Sequence, residues 1–398
     1  MKLASRMGKL PPIPTLAMNT KANELRAQGV DVLSFAAGEP DFDTPDHIKE
    51  GAIQALRDGH TKYTPVSGIL PLRKAICAWV EEHKGVSYSP EEVIVTVGGK
   101  QSVFNALHVL VEEGDEVLIP QPIWVAYAPV ATLAGAKVVP IKTSEENGFR
   151  MTREQLAAAI TDRTKIVVIN SPCNPSGCVY SREEIEGIAE VVLASPQAMV
   201  ISDEIYGKLL YDGGEHVSIA SISPEMRART LLLDGFSKTY AMTGWRMGYT
   251  CAPREIVKAM DTLQGQSTSN ATSFAQYGGI AALEGSLDFL KGWLAEYDKR
   301  RRAITEGMNS IDGISVVMPK GAFYVFPRVS DLFGRHGPGG ELKNSVDVGL
   351  YFLDHAQCAA VPGVGFGDDR YIRFSYATSL ENVKEGIERL RAAVSQLG

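Results

Sequence analysis

Long apolar runs and blocks of basic residues are both missing from this sequence of 398 residues. No stretch approaches the roughly 20 apolar residues that a membrane-spanning helix needs, so we expect no membrane partner and a cytoplasmic location. The formal net charge of -7 is modest, and the lysines and arginines are dispersed, which argues against a nucleic-acid partner. Small molecules remain as the expected partners.

Cysteine is scarce and scattered as well. The five cysteines, Cys77, Cys173, Cys178, Cys251 and Cys358, are odd in number and widely spread, which argues against a disulfide framework. Cys173 and Cys178 are close enough in sequence to suggest a zinc site. Four residues separate them, however, and no second pair supplies the remaining ligands, so we expect no metal.

The sequence does contain enough apolar residues, at 44%, for a large core that is divided into two domains. Short β-branched runs alternate with amphipathic stretches, a pattern that predicts an α/β fold with a mostly parallel sheet covered by helices on both faces. The strands predicted for this sheet are Val93–Val97, Glu116–Ile119, Lys165–Ile169, Met199–Ser202 and Thr230–Leu233.

The same pattern suggests where the domains divide. We predict a large domain over about residues 47–285 and a smaller C-terminal domain over residues 286–398, with residues 1–46 as a separate N-terminal segment. In the smaller domain, strands are predicted at Ile314–Met318 and Tyr371–Tyr376, on either side of a glycine-rich loop.

The segment from residue 235 to residue 248 follows an apolar strand and carries an amine, Lys238, and a guanidinium, Arg246. The lysine could form a Schiff base with an aldehyde, while the arginine could hold a phosphate through its planar fork. A cofactor with both groups is pyridoxal phosphate. A lone lysine is more often a solvated surface charge, so the hypothesis needs support from elsewhere in the chain.

Two other strand ends supply that support. Asp203 and Tyr206 follow the apolar run that begins at Met199, where an aspartate could keep a pyridine nitrogen protonated. The alternative is a helix N-cap aspartate beside a core tyrosine. In the turn from residue 170 to residue 177, Asn174 could donate a hydrogen bond to the phenolic oxygen of the cofactor, although asparagine-proline turns are also common without any ligand.

A further strand-to-helix turn, from Val97 to Ser102, carries paired glycines. The free N–H groups of a helix N-terminus favour an anion, and glycines allow close approach of the backbone, so this turn is a candidate phosphate site. A plain strand-to-helix turn is the alternative.

Taken in order along the chain, the asparagine turn, Asp203 with Tyr206, Lys238 and Arg246 resemble the class I and II aminotransferases, the fold-type-I group of pyridoxal phosphate enzymes. The resemblance covers nearly the whole chain. It implies a large domain with a seven-stranded sheet and a smaller α/β domain built from both termini, with the N-terminal segment packed on the latter. It also implies a homodimer with shared active sites.

The resemblance assigns a role to each matching residue. Lys238 would be the Schiff-base lysine and general base, and Asp203 would be the partner of the pyridine nitrogen. Tyr206 and Asn174 would contact the phenolic oxygen, and Arg246 would clamp the phosphate. Further cofactor contacts implied are Gly99, Lys100, Gln101 and Ser237 at the phosphate, Trp124 stacked on the ring, and Tyr63 reaching the phosphate of the neighbouring subunit. From the residues alone, the tyrosine could equally lie on the surface and the tryptophan in the core.

Substrate recognition follows from the same resemblance. Arg373 matches the arginine that binds the substrate α-carboxylate, and Gly38 would add a backbone contact, with Trp124 and Asn174 also beside the substrate. Lys100 matches the lysine that binds dicarboxylic substrates in a bacterial aspartate aminotransferase subgroup. The expected reaction is transfer of the amino group from aspartate to 2-oxoglutarate with ping-pong kinetics.

The sequence leaves the substrate and the reaction open in several respects. Thr15 matches a threonine linked with prephenate transamination, but residues 11–14, Pro-Pro-Ile-Pro, replace a segment in which those enzymes carry a lysine. An aminotransferase for aromatic or neutral amino acids, a carbon–sulfur β-lyase and a non-catalytic cofactor-binding module also stay open.

Overall fold

The computed structural model describes residues 3–10 and 14–398, without the side chains of residues 9, 14–17 and 19. In these ranges the α-helices are α1 (Pro14–Ala27), α2 (Asp46–Arg57), α3 (Leu70–Lys84), α4 (Gly99–Leu110), α5 (Tyr127–Leu133), α6 (Arg153–Ala159), α7 (Arg182–Ala194), α8 (Pro224–Ala228), α9 (Arg254–Gly265), α10 (Ser273–Glu284), α11 (Asp288–Asn309), α12 (Ser345–His355) and α13 (Leu380–Val394). No helix within this part of the chain has the length and apolarity required to cross a bilayer.

The strands of the same ranges, numbered in chain order, are β1 (Leu33–Ser34), β2 (Val93–Thr96), β3 (Glu116–Gln121), β4 (Lys137–Lys142), β5 (Thr164–Asn170), β6 (Met199–Asp203), β7 (Thr230–Gly235), β8 (Gly248–Cys251), β9 (Tyr324–Val325), β10 (His336–Gly337), β11 (Gly340–Glu341), β12 (Cys358–Ala359), β13 (Val361–Pro362) and β14 (Ile372–Ser375).

Seven of these strands form one sheet in the order β2-β8-β7-β6-β5-β3-β4, in which β8 is antiparallel to both neighbours and the other pairs are parallel. Both faces of this sheet are buried. In β5, Ile166 and Val168 belong to one core cluster while Val167 and Ile169 belong to another, because successive side chains point to opposite faces. The predicted α/β fold with a mostly parallel seven-stranded sheet is confirmed.

Helix ends follow local sequence rules. Before α7, the Ser181 hydroxyl accepts a hydrogen bond from the Glu184 N–H at 3.2 Å, and the Glu184 carboxylate accepts one from the Ser181 N–H at 2.8 Å. At the other end of a helix, α3 stops at Gly85, whose φ of 68° is left-handed and therefore favours glycine. This stop fixes Lys84 as the last residue of α3.

A smaller sheet, in the order β13-β14-β9, packs with α11 and α13 in a separate aromatic-rich core. Strand β1 pairs with β12, so the N-terminal part of the chain joins its C-terminal part. The fold therefore contains a smaller α/β unit to which both ends of the chain contribute. The division at residues 46/47 and 285/286 stays a prediction.

The sequence patterns identified the strands incompletely. The predicted strand at Ile314–Met318 is wrong, because only Ser315 forms an isolated bridge, with Arg328, and Pro319 lacks the N–H that a continuing ladder requires. The predicted glycine-rich loop contains the short hairpin β10–β11. Strands β4 and β8 of the large sheet were not predicted.

Candidate active site

A cavity of about 480 Å³ lies where β5, β6 and β7 end. In the sheet register Asn170 is opposite Asp203, and Asp203 is opposite Leu233, so the carboxyl ends of three parallel strands meet at one edge. Residues from both ends of the chain close the cavity. The predicted residues that line it are Gly38, Gly99, Lys100, Trp124, Asn174, Asp203, Tyr206, Ser237, Lys238, Arg246 and Arg373.

Lys238 projects into this cavity from the segment that follows β7. Its Nζ donates a hydrogen bond to the Gly38 carbonyl and lies 5.8 Å from the ring centroid of Tyr206. Burial, and then the positive charge of Arg373, lower the pKa of Lys238 from 10.5 to about 8. A lysine with this pKa has a substantial neutral fraction near physiological pH, which nucleophilic and basic chemistry require.

Asp203 is a buried carboxylate of the cavity, with 8% of its surface exposed. Its Oδ2 accepts a hydrogen bond from the Tyr127 hydroxyl at 2.5 Å, and its Oδ1 accepts one from the Ile205 N–H at 3.2 Å. Burial raises the pKa of Asp203 to about 6, more than these hydrogen bonds lower it. A cationic group placed beside this carboxylate would stabilise its charged form.

Arg373 in β14 presents a buried guanidinium. Its Nη2 donates to the Ala36 carbonyl at 2.7 Å and its Nη1 donates to the Asn174 side-chain oxygen at 3.1 Å. The Nε of Arg373 has no hydrogen-bond partner among the described residues, although it is buried. A buried hydrogen-bond donor without a partner is unfavourable. An anionic ligand could supply the missing acceptor for this guanidinium.

The first turn of α4 and Arg246 lie together at another side of the cavity. Gly98, the residue before α4, has a φ of 80°, and a Cβ there would lie 2.7 Å from Nη2 of Arg246. The Arg246 Nη1 donates to the Thr243 carbonyl at 2.8 Å. Glycine at position 98 therefore allows the guanidinium to approach the helix N-terminus, and both of these groups favour an anion.

Lys100 and Gln101, also in the first turn of α4, differ in their surroundings. The Lys100 Nζ lies 5.4 Å from the ring centroid of Trp124, inside the cavity. The Gln101 side chain accepts from the Val97 N–H and donates to the Thr268 hydroxyl, both at 2.6 Å, and does not line the cavity. The Gln101 N–H donates to the Gly98 carbonyl at 3.0 Å.

Besides Gln101, two more predicted residues lie apart from the cavity or outside the described side chains. Tyr63 does not line the cavity of its own chain and is 92% exposed, the highest exposure among the large hydrophobic residues described. Its predicted contact with a neighbouring subunit stays a prediction. Thr15 lies in α1, but its side chain is outside the described residues.

Comparison with known proteins identifies the family. Residues 30–390 match the family model described as aminotransferase class I and II. The aspartate aminotransferase of Geobacillus stearothermophilus is 45% identical over 98% of both chains, and the aspartate/prephenate aminotransferase of Nitrosomonas europaea is 42% identical over 99% of this chain and all of that one. The crystal structure of the Rhizobium meliloti aspartate aminotransferase superposes with a TM-score of 0.97, at 40% identity over both complete chains.

The chain belongs to the class I and II aminotransferases. Enzymes of this family depend on pyridoxal phosphate and act on amino acids and 2-oxo acids. This aminotransferase is therefore a pyridoxal phosphate enzyme, as the sequence predicted.

The geometry of this aminotransferase fits that cofactor. The anion site at α4 and Arg246 matches a phosphate, and the cavity places an amine, Lys238, and a buried carboxylate, Asp203, beside it. A Cβ on Gly248 would lie 2.6 Å from the backbone nitrogen of Gly99, so the β8 backbone packs directly under this turn. An amine can react with an aldehyde, and a carboxylate can pair with a protonated pyridine nitrogen. The helix N-terminus and a guanidinium can bind a phosphate.

Sequence reasoning missed several residues of the aminotransferase cavity. Tyr127 holds Asp203, and the Tyr324 hydroxyl lies 2.8 Å from that of Tyr206. Glu39, also in the cavity, accepts a hydrogen bond from the Thr243 hydroxyl at 2.8 Å. Glu39 follows Gly38 directly and could have been noticed there, whereas the two tyrosines carry no local sequence signal.

Proposed function

We propose that this aminotransferase transfers the amino group of L-aspartate to 2-oxoglutarate, giving oxaloacetate and L-glutamate. The proposal rests above all on the finding that Lys100 and Arg373 line the same cavity as Lys238. An amino acid with two carboxylates can thus pair with a cation at each end while its amine faces the reactive lysine. The names of the full-length relatives support the same substrate.

We assign the cofactor contacts as follows. Arg246, Ser237 and the first turn of α4, including Gly99, Lys100 and Gln101, hold the phosphate. Asp203 pairs with the pyridine nitrogen, Tyr206 and Asn174 contact the phenolic oxygen, and Trp124 covers the ring. When bound, the cofactor supplies an electron sink for the bond broken at the substrate α-carbon.

The chain supplies orientation and proton transfer. Arg373 holds the α-carboxylate and Gly38 offers its backbone, which together fix the α-carbon near Lys238. The neutral amine of Lys238 would take the proton from the substrate α-carbon. It would deliver that proton to the aldehyde carbon of the cofactor, which receives the amino group. Its lowered pKa suits this exchange. Because the first product leaves before the second substrate binds, initial rates should give parallel reciprocal lines.

We also propose a homodimer with shared active sites, in which Tyr63 reaches the phosphate site of the neighbouring subunit. Its 92% exposure in the single chain supports a role at an interface. A cytoplasmic location is the accompanying proposal. The five cysteines are all free thiols, which suits a reducing compartment.

The substrate proposal is tested by Lys100→Ala. We expect kcat/KM for aspartate to fall at least about 10-fold while that for L-alanine changes little, because only the dicarboxylate loses a charge-assisted contact. Lys137→Ala is the matched control, since Lys137 is an exposed lysine at the start of β4 that pairs with Glu116. If both substrates lost activity equally, Lys100 would not select for a second carboxylate.

Prephenate is a second candidate substrate. A relative that is 42% identical over the whole chain is named an aspartate/prephenate aminotransferase, and Thr15 was predicted from that resemblance. We expect oxaloacetate to be a better amino acceptor than prephenate because residues 11–14 depart from the prephenate pattern. The ratio of kcat/KM values for glutamate with prephenate and with oxaloacetate as acceptors measures this preference.

A further inference from the structure

Beneath the active-site cavity lies a buried trio of charged residues, Lys84, Glu204 and Asp234. The Lys84 Nζ is 2.8 Å from the Glu204 Oε2 and 2.9 Å from the Asp234 Oδ2. The lysine side chain is 5% exposed, and the two carboxylates are 1% and 10% exposed. An ammonium buried this far from water is stable only when it is paired, so Lys84 depends on both carboxylates.

Three further side chains contact the carboxylate of Glu204. Its oxygens accept hydrogen bonds from the Ser202 hydroxyl at 2.9 Å and the Ser218 hydroxyl at 2.6 Å, and they lie 2.9 Å from the His216 Nε2. Burial alone would raise the pKa of Glu204, but Lys84 and then His216 hold it well below its ordinary value. The same carboxylates keep the pKa of Lys84 raised despite its burial. Lys84 and Glu204 are therefore both charged.

The position of the trio links it to the two reactive groups. Glu204 directly follows Asp203 at the end of β6, and its N–H donates to the Leu233 carbonyl of β7 at 2.8 Å. Asp234 lies in β7, four residues before Lys238, and also lines the active-site cavity. Lys84 thus joins the end of β6, which carries Asp203, to the end of β7, after which Lys238 follows.

We propose that Lys84 is a positioning residue, which through Glu204 and Asp234 fixes the spacing of the ends of β6 and β7 and sets the charge beneath Lys238 and Asp203. This inference rests on the proposed roles of those two residues. The mechanism does not otherwise use the trio. A lysine at position 84 leaves one uncompensated negative charge under the cavity.

The charge of the trio gives a prediction for Asp234→Asn. With both carboxylates ionised, the native trio carries one net negative charge, and Asp234→Asn leaves none. Negative charge favours a protonated amine, so Asp234→Asn lowers the pKa of the group at Lys238. Lys84→Met, in contrast, removes the cation that keeps the buried Glu204 ionised, so one carboxylate takes up a proton and the net charge is unchanged.

Several other charged or titratable groups lie near Lys238 and the trio. Those facing Lys238 are Asp203, Glu39, Arg246 and Arg373. The titratable groups near Lys84 outside the trio are His83, Lys208, His216, Tyr240, Tyr249 and Cys251. Lys208 provides the matched control, since it borders the same small cavity as Lys84 and its Nζ lies 5.3 Å from the Trp79 ring centroid.

The test is a spectroscopic pH titration of the cofactor-loaded protein, in which the visible absorption reports protonation at the Lys238 nitrogen. We expect the pH midpoint to fall by about half a unit or more in Asp234→Asn, from charge interactions at a moderate effective dielectric constant. Lys84→Met and Lys208→Met should return the native midpoint. Lys84→Arg should also keep it, because a guanidinium can pair with both carboxylates and a cavity of about 20 Å³ adjoins the site.

A purely structural role makes a different prediction. In that case the variants would lower the thermal midpoint of the apo protein but leave the pH midpoints equal, and the proposal would be overturned. If Lys84→Met does not fold, Asp234→Asn and Lys84→Arg still test the proposal. Asp234→Asn changes the net charge of the trio, whereas Lys84→Arg keeps it. Lys238→Ala separates the role of Lys238 from that of the trio: if its absorption titrates as in the native protein, the role of Lys238 fails, whatever the trio does.

Discussion

At the scale of single residues, Lys238 and Asp203 have pKa values that burial moves toward each other, to about 8 and about 6. Burial disfavours the charged form of each group, and the remaining hydrogen bonds only partly offset this effect. Both groups can therefore change their protonation state when a ligand binds in the cavity. A cofactor that brings a cationic ring nitrogen to Asp203 and an aldehyde to Lys238 would satisfy both.

The pKa of Lys238 leads to a prediction about cofactor capture. Only the neutral amine attacks an aldehyde, so the rate at which the apo protein captures pyridoxal phosphate should rise with pH and level off above about pH 8. Stopped-flow absorption across pH 6 to 10.5 measures this rate. The Lys238→Ala protein provides the background. A rate that keeps rising toward pH 10.5 would show that the amine is unperturbed.

The sequence indicated some residues of the cavity far better than others. Lys238, Asp203 and Arg246 each follow an apolar strand, so their chemistry and their position can both be read locally. Tyr127 and Tyr324, in contrast, meet their partners across 76 and 118 residues of sequence. Such contacts depend on the three-dimensional packing, which no local pattern specifies.

At the scale of elements, the site depends on the register of the parallel strands. The pairing of Asn170 with Asp203 and of Asp203 with Leu233 brings three strand ends to one edge. The apolar runs predicted β2, β3, β5, β6 and β7. They did not predict β4, which is partly exposed and contains Pro140, or β8, which has four residues and begins with Gly248. Neither β4 nor β8 has the continuous apolar run on which the prediction depended.

Gly248 is predicted to be essential for the phosphate site. A Cβ at this position would lie 2.6 Å from the Gly99 nitrogen and 2.7 Å from the Gly98 carbonyl carbon, and backbone atoms cannot move aside as a flexible side chain can. Gly248→Ala should therefore weaken cofactor binding at least about 10-fold by displacing the first turn of α4. Equilibrium titration of the apo protein with pyridoxal phosphate measures the affinity.

The matched control is Gly292→Ala in α11, where an added Cβ meets no atom within 4 Å. This variant should bind the cofactor as the native protein does and gain up to about 1 kcal/mol of stability from helix propensity. Equal cofactor affinity in the two variants would mean that the contact between β8 and α4 does not shape the phosphate site.

At the scale of the whole molecule, the cavity lies where distant parts of the chain meet. Gly38 comes from the N-terminal part, Lys238 and Asp203 from the large sheet, and Tyr324 and Arg373 from the smaller one. The fold class and the sheet type could be predicted from the sequence because strand patterns repeat along it. The pairing of β1 with β12 could not, since it joins two-residue strands more than 300 residues apart.

The shared-site dimer predicts complementation between inactive chains. Lys238→Ala lacks the amine, and Tyr63→Ala lacks the phosphate contact that each subunit would supply to its neighbour. A mixed dimer of the two regains one complete site, so random mixing should restore up to about a quarter of native activity. The activity of the mixture after subunit exchange, compared with that of each variant alone, measures this. If the mixture showed only the sum of the activities of the two separate variants, Tyr63 would not belong to the active site of the neighbouring subunit.

Transamination of aspartate is tested most directly by the near-ultraviolet and visible absorption of the cofactor-loaded protein before and after L-aspartate is added, with L-phenylalanine and L-alanine in parallel. We predict that aspartate converts the aldehyde form of the cofactor, held by Lys238, into the bluer-absorbing amino form at far lower concentration than the other two. Conversion by phenylalanine or alanine but not by aspartate would contradict the dicarboxylate assignment, and the absence of conversion by any amino acid would contradict transamination itself.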